Sequence, residues 1–133
     1  MQNDRVLAIN NTTRIDLQVQ AASESDGHRH ISGTGGQLQF VRATCASNAG
    51  KSFVCIASTY EKRGERRSCI VLELTAGNVV TTPRTDMMYV VTEYGCLNLK
   101  GKTVRVRPQL RGDQIRTVYV ASGSARGAQP DGL

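Results

Sequence analysis

The sequence has no tryptophan, few aromatic residues and no long hydrophobic run. Aromatic side chains make up only 5% of its 133 residues. No window approaches the roughly 20 apolar residues that span a bilayer, and the N-terminus lacks a basic start followed by an apolar stretch. We therefore predict no membrane span and no signal peptide, and expect the protein in the cytoplasm. Its 39% of hydrophobic residues suffice for the core of one domain.

Ligands for metal or disulfide chemistry are also scarce. None of the four cysteines, at 45, 55, 69 and 96, belongs to a Cys-x-x-Cys pair. Flanked by apolar or small residues, they are predicted to be buried thiols rather than disulfide partners or zinc ligands. His28 and His30 could project from one strand face, but no third histidine exists, so we predict no metal site.

The chain is basic, with a formal net charge of +6. Its densest cluster, Lys62 to Arg67, is interrupted by an acid, and no aromatic residues interleave with the basic ones as single-strand nucleic-acid binding would require. Nucleic-acid binding is therefore the weakest interpretation. A small ligand that carries phosphate groups explains a moderately basic domain equally well.

The dominant hydrophobic period is two, which predicts strands. Apolar or alternating runs predict strands at 6–9, 14–20, 52–57, 69–74, 79–82 and 87–91, while 23–36 and 61–67 are interpreted as loops. One helix is predicted from Gly36 or Gln37 to about Ala46, because Leu38, Val41 and Cys45 recur at helical spacing and Asn48-Ala49-Gly50 supplies a stop. The predicted fold class is α/β, a mixed sheet with few helices.

A glycine-rich segment, Ser32-Gly33-Thr34-Gly35-Gly36-Gln37, precedes the predicted helix. Three glycines in four positions let the backbone approach a ligand with no Cβ in the way. Amides in the first turn of the helix would point at an anion, either a phosphate or the oxyanion of a thioester carbonyl. Taken alone the pattern is weak, because glycine turns are common before helices.

Several ordered blocks resemble the acetyl-CoA hydrolase/transferase family, which includes 4-hydroxybutyrate and succinyl-CoA:acetate CoA-transferases. The first and longest block is Gly27-His28-Arg29-x-x-Ser32-Gly33-x-Gly35-Gly36-Gln37-Leu38-x-Phe40-Val41-Arg42. The others are Gly50-Lys51-Ser52-Phe53, Ser58-Thr59, Val79 to Asp86, Tyr89 to Gly95 and Asn98 to Lys102. The resemblance identifies residues 1–103 as a segment of the C-terminal domain of such a CoA-transferase.

The resemblance implies a mechanism in which a glutamate attacks an acyl-CoA and then carries CoA as a thioester. It also implies that the acyl-CoA contacts Gly33, Gly35, Gly36, Gln37 and Arg29, with the amide of Gly35 or Gly36 stabilising the oxyanion. The family's nucleophilic glutamate falls before the position that matches Met1, so no catalytic residue is predicted within this chain. We therefore expect a truncated segment that is non-catalytic alone but still binds CoA. The alternative is a structural or protein-interaction module that has lost CoA binding.

The sequence also departs from the family. Five positions carry residues that the family does not usually have: Gln39, Ala43, Cys69, Leu72 and Met88. Residues 104–133 diverge altogether, as a truncated or frame-shifted gene end would, and the last dozen residues are predicted to be disordered. Because the family packs this region against parts that the chain does not match, we expect an uncovered apolar face and a homo-oligomer, a dimer.

Overall fold

The computed structural model describes residues 3–101, so the predicted divergent tail and its last dozen residues lie outside the described residues. Within them, eleven strands and one helix form. The strands are β1 (Leu7–Asn11), β2 (Arg14–Asp16), β3 (Ala21–Ala22), β4 (Ser25–Asp26), β5 (Arg29–His30), β6 (Lys51–Cys55), β7 (Thr59–Lys62), β8 (Glu65–Ser68), β9 (Ile70–Val71), β10 (Tyr89–Thr92) and β11 (Gly95–Asn98). The helix α1 (Gln37–Ala46) lies between β5 and β6.

The larger sheet has four strands in the order β1-β6-β10-β11. The first three run parallel, and β11 returns antiparallel to β10. Alternation sends Val54, Val90 and Leu97 to one face, where they are buried. Helix α1 packs against β1 and β6 and buries its own Val41 and Thr44. These contacts cover one face of the sheet.

A second sheet, β3-β2-β9, packs against the face of the four-stranded sheet that carries Val54, Val90 and Leu97. Ile15 of β2 and Ile70 of β9 pair in register and join Val54, Val90 and Leu97 in one hydrophobic cluster. Backbone hydrogen bonds from Thr81 and Thr82 to the carbonyl oxygen of Ala21 attach the segment before β10 to this sheet. The predicted α/β class with mixed sheets and few helices is confirmed, and the helix begins at Gln37, as predicted.

The strand predicted over 14–20 ends after three residues. Asp16 is buried, and its Oδ1 accepts a hydrogen bond from the Gln20 amide at 2.8 Å while its carbonyl oxygen accepts one from Val19 at 2.9 Å. The chain therefore turns, and Val19 takes a φ of 63°. Sequence alternation was misleading here because Leu17 and Val19 pack into the core from a turn rather than from one strand face.

The predicted charged loop at 61–67 is a β-hairpin. Strands β7 and β8 pair from Thr59 and Ser68 to Lys62 and Glu65. The two-residue turn, Arg63-Gly64, has φ values of 54° and 77°, the left-handed pair that matches hairpin twist. Exposed charged side chains on both faces hid these strands from a hydrophobic pattern.

Two other interpretations need correction. The segment predicted as a strand at 79–82 forms only an isolated bridge between Thr82 and Ala21. All four cysteines are free, as predicted, but only Cys69 is buried, while Cys45 and Cys96 are exposed. Local apolar neighbours in sequence did not decide the burial of these thiols.

The second face of the four-stranded sheet is largely uncovered, and we call it the open face. Ile9, Phe53 and Tyr89 share one register row on it, and the Phe53 and Tyr89 rings stack with centroids 4.8 Å apart. Leu7 and Ile9 are 64% and 72% exposed. The predicted uncovered apolar face is therefore present in the described part of the chain.

Candidate functional site

The glycine loop, residues 32–36, links β5 to α1 and is exposed over most of its length. Gly35 has a φ of 58°, which an L side chain would adopt only with strain. A Cβ built on Gly33 or Gly35 would meet no heavy atom within 4 Å. The space in front of both residues is open, so a ligand can approach the backbone there.

The helix start behind this loop has no side-chain cap. Gly36 is the N-cap residue, with φ −102°, and no acidic residue lies in the first turn of α1. Phe40 donates its amide to the Gly36 carbonyl, which leaves the amides of the preceding turn without intrahelical acceptors. The arrangement offers N–H donors and the positive end of the helix dipole to an anion or a developing oxyanion.

Glu24 fixes the position of the glycine loop through hydrogen bonds. Its side chain is buried, and its two carboxyl oxygens accept hydrogen bonds from the hydroxyls of Thr34 at 3.0 Å and Thr81 at 3.1 Å. Its carbonyl oxygen accepts from the amides of Ile31 and Ser32. Nothing local in the sequence predicts this role of Glu24, because Thr81 lies 57 positions away.

Gln37, a predicted ligand contact, is used as a structural tie. Its Nε2 donates to the Thr82 hydroxyl at 3.1 Å. Because Thr82 is fully buried and fixed to Ala21, this bond anchors the first residue of α1 to the segment before β10. The loop is thus attached at both ends, by Glu24 to Thr81 and by Gln37 to Thr82.

Arg29, the remaining predicted contact, lies exposed on β5, three residues before Ser32. It faces no hydrogen-bonding partner among the described residues. Arg29 is paired with Asp26 across the β4–β5 hairpin, and its charge acts on that carboxylate. The structure therefore brings Gly33, Gly35 and Gly36 together at one loop, with Arg29 on the strand that leads into it.

Asp26 is influenced by several positively charged side chains. Arg14 donates from Nε to its Oδ1 at 2.8 Å, and this bond lowers the pKa of Asp26 despite the opposing effect of burial. The charges of Arg14, Lys62 and Arg29 lower that pKa further. Arg14 also donates to the Tyr60 hydroxyl at 3.0 Å, which links the two hairpins.

The ion pair between Arg14 and Asp26 should make the stability of the fold depend on pH. Because the folded pKa of Asp26 is lowered, its contribution is complete above the unfolded pKa and is lost as the pH falls through the folded pKa. We expect Asp26→Asn to cost about 1 kcal/mol or less at pH 7, since the pair is partly exposed. In urea unfolding at a series of pH values the difference should begin to shrink as the pH falls below about 4, the ordinary pKa of an aspartate. A difference that stays constant over this range, or an equal loss for the exposed Asp4→Asn control, would contradict the assignment.

Glu93 lies in the turn between β10 and β11. Its carboxylate accepts a hydrogen bond from the Ser58 amide at 2.9 Å and another from the Ser58 hydroxyl. Partial burial raises the pKa of Glu93, but the Ser58 hydrogen bonds outweigh it and lower the pKa overall. These bonds attach the β10–β11 turn to the segment between β6 and β7.

The five departures from the family are dispersed. Cys69 and Met88 are buried in the interior, where burial raises the pKa of the Cys69 thiol. Met88 Sδ accepts the Ser52 amide at 3.4 Å. Only Gln39 lies in the first turn of α1 beside the glycine loop. Cys69 and Met88 therefore belong to the interior and not to the exposed glycine loop.

Residues 3–101 contain no group of three histidine, cysteine or acidic side chains placed to hold a metal ion. In the same part of the chain, no helix has the length and hydropathy to cross a membrane.

Comparison with known proteins gives one family. Residues 1–110 match the model of the acetyl-CoA hydrolase/transferase C-terminal domain. The chain is 48% identical over 99 residues to a butyryl-CoA:acetate CoA-transferase of Anaerostipes caccae, covering 74% of this chain and 22% of that protein. It is 45% identical over 107 residues to a 4-hydroxybutyrate coenzyme A transferase of Clostridium kluyveri, covering 80% and 24%. The chain thus spans about a quarter of the length of the curated relatives it matches.

Solved structures give the same result. RipA from Yersinia pestis superposes with a TM-score of 0.70 at 36% identity, covering 90% of this chain and 28% of that one. A 4-hydroxybutyrate CoA-transferase from Porphyromonas gingivalis superposes with a TM-score of 0.57 at 34% identity, covering 82% and 22%.

Proposed function

The chain belongs to the acetyl-CoA hydrolase/transferase family, and on that premise we propose that its glycine loop forms one wall of the acyl-CoA site of a CoA-transferase. The observation that carries the proposal is the open space over Gly33 and Gly35, beside an uncapped helix start. Known relatives are named for acyl-CoA substrates, which fits a thioester as the ligand.

In this proposal the loop acts through its backbone. When a carboxylate attacks a thioester, negative charge develops on the carbonyl oxygen, and amide donors already in place stabilise it without reorganisation. The amide of Gly35 or Gly36 supplies such a donor. Glu24 and Gln37 do not contact the substrate but hold the loop and the helix start in position.

We propose further that the residues of this chain do not supply the attacking carboxylate. Glu24, the acid nearest the loop, is buried with both oxygens engaged by hydroxyls, and Glu93 is held by Ser58. A nucleophile needs a free and accessible oxygen. Glu24 is buried, and Glu93, although exposed, has both carboxyl oxygens engaged by Ser58. The protein alone therefore binds a CoA thioester without transferring its acyl group.

Titration calorimetry with acetyl-CoA tests the site. Gly33→Ala adds a methyl group to open space at a position with no positive φ, so the fold should tolerate it while the ligand loses that volume. We expect acetyl-CoA to bind about tenfold more weakly, equivalent to about 1.4 kcal/mol. The control is Gly95→Ala, which adds a methyl group to open space outside the loop; because Gly95 has a φ of 156°, the unfolding free energy of this variant is measured alongside its affinity. Equal affinities for wild type and Gly33→Ala would exclude the loop.

Treatment with acetyl-CoA, a carboxylate acceptor and then hydroxylamine tests the proposal that this chain supplies no attacking carboxylate. No modified glutamate should form. Turnover abolished by Glu24→Gln or Glu93→Gln would show that the chain carries its own nucleophile. Absence of any CoA binding would favour the alternative, a structural or interaction module.

We also propose that the protein is cytoplasmic and a homo-oligomer, a dimer. Four free cysteines, two of them exposed, fit a reducing compartment. The open face supports self-association, because two copies of a flat apolar face can pair about a two-fold axis. Its central row of Ile9, Phe53 and Tyr89 carries no charge that would repel a second copy.

The dimer predicts a specific sensitivity at Ile9, which is 72% exposed at the centre of the open face. Ile9→Glu would bury a charge in the interface and should weaken the dimer about 100-fold or more, a loss typical of a central interface residue. Leu72→Glu is the control, because Leu72 is 54% exposed but lies outside this sheet. Light scattering over a concentration series measures both. A wild-type monomer at high concentration would disprove the dimer.

A further inference from the structure

The β7–β8 hairpin carries an excess of positive charge. Residues 59–68 contain Lys62, Arg63, Arg66 and Arg67 against two glutamates. Over residues 3–101 there are eleven lysines and arginines against nine acids, so the hairpin's excess of two equals the excess of the whole described region. The positive charge is therefore concentrated on one element rather than spread over the surface.

Strand register separates these cations between two faces of the hairpin. Lys62 pairs with Glu65, and Tyr60 with Arg67, on one face, while Arg66 pairs with Glu61 on the other. The first face lines a shallow cleft of about 380 Å³ formed by Lys62, Arg63, Glu65 and Arg67. Arg67 is paired with Glu65 at 2.9 Å, whereas Lys62 and Arg63 make no hydrogen bond or ion pair within the described chain.

The hairpin that forms the cleft is held in place at both ends. The left-handed turn at Arg63-Gly64 sets the hairpin tip. At the other end Tyr60 packs against the core, and its hydroxyl accepts a hydrogen bond from Arg14. Arg29 of the adjacent β4–β5 hairpin lies beside this cluster, because Arg29 pairs with Asp26, and Arg14 hydrogen-bonds both Asp26 and the Tyr60 hydroxyl. We call Arg29, Lys62, Arg63 and Arg67 the basic face.

We propose that the basic face binds the phosphate groups at the nucleotide end of a CoA thioester. This inference rests on the proposed function, in which the glycine loop takes the thioester end. Phosphates bind best to cations that are not already neutralised, and guanidinium groups match their oxygens in pairs. Arg29 lies on β5, three residues before the glycine loop begins at Ser32, so a short segment of chain joins the basic face to that loop.

The test uses adenosine 3′,5′-bisphosphate, which lacks the pantetheine arm and the thioester and so does not depend on the glycine loop. Lys62→Gln and Arg29→Gln, made singly, should each weaken its binding about tenfold, as expected for loss of one charge-assisted contact. Arg66→Gln is the matched control, because it removes one charge from the opposite face of the same hairpin. Its affinity should equal that of wild type, and pantetheine binding should be unchanged in all three variants.

No binding of the bisphosphate, or equal losses in all three variants, would overturn the basic face. The proposed function would then still be supported if Gly33→Ala weakened pantetheine binding. Conversely, the expected bisphosphate result with no effect of Gly33→Ala on acetyl-CoA would locate the failure in the glycine loop. A DNA oligonucleotide bound more tightly than the bisphosphate, and weakened by the same variants, would replace the nucleotide with nucleic acid as the ligand.

Discussion

Replacing Gly50 with alanine is expected to destabilise the fold more than any other single methyl group added at a glycine of the described chain. A Cβ on Gly50 would lie 2.1 Å from the carbonyl oxygen of Thr44 and 3.0 Å from the Cβ of Ser47. The first of these atoms belongs to the backbone of α1 and cannot rotate away. The helix end and the start of β6 must therefore separate.

We expect a loss of about 3 kcal/mol or more, because overpacking against backbone shifts whole elements. That corresponds to a fall in melting temperature of about 10 °C or more for a domain of this size. Thermal and urea unfolding followed by circular dichroism measure it. Gly33→Ala, whose new methyl group meets nothing within 4 Å, should unfold within about 0.5 kcal/mol of wild type. Similar losses in the two variants would refute the close contact at Gly50.

Gly50 also shows what sequence can and cannot supply. The run Asn48-Ala49-Gly50 indicated that the helix ends there, and the structure ends α1 at Ala46. The pattern did not show that Gly50 is required by a tertiary contact rather than by a positive φ, since its φ is not in the left-handed region. Local chemistry predicts where an element stops, while the reason for a particular glycine depends on what packs against it.

The same division holds at the candidate site. The glycine loop and the start of α1 were predictable because their signals are local: three glycines in four positions followed by an apolar period. The supports of the loop were not, since Thr81 and Thr82 lie in a segment that alternation predicted to be a strand. The basic hairpin was missed for a related reason, because two-residue turns with a left-handed Arg are uncommon and its strands have no buried face.

Removing the Glu24 side chain is expected to have the second large effect, on both stability and the loop. Glu24→Ala leaves the buried Thr81 hydroxyl without its acceptor and frees Thr34. Two lost hydrogen bonds and one unsatisfied buried hydroxyl should cost about 2–4 kcal/mol. Glu73→Ala, at an exposed glutamate, is the control and should cost about 0.5 kcal/mol or less.

A purely structural role and a positioning role can be separated with Thr34→Val. This variant breaks only the partly buried hydrogen bond between the loop and Glu24, so stability should fall by about 1 kcal/mol. The amides of residues 31–36 should nevertheless exchange faster with solvent, and acetyl-CoA affinity should fall severalfold, because the donors would no longer be held in one geometry. Unchanged exchange and affinity in Thr34→Val, together with the large loss in Glu24→Ala, would show that Glu24 stabilises the fold without positioning the loop. The predicted pattern instead makes a buried acid the residue that keeps the backbone donors of the glycine loop aimed at one point.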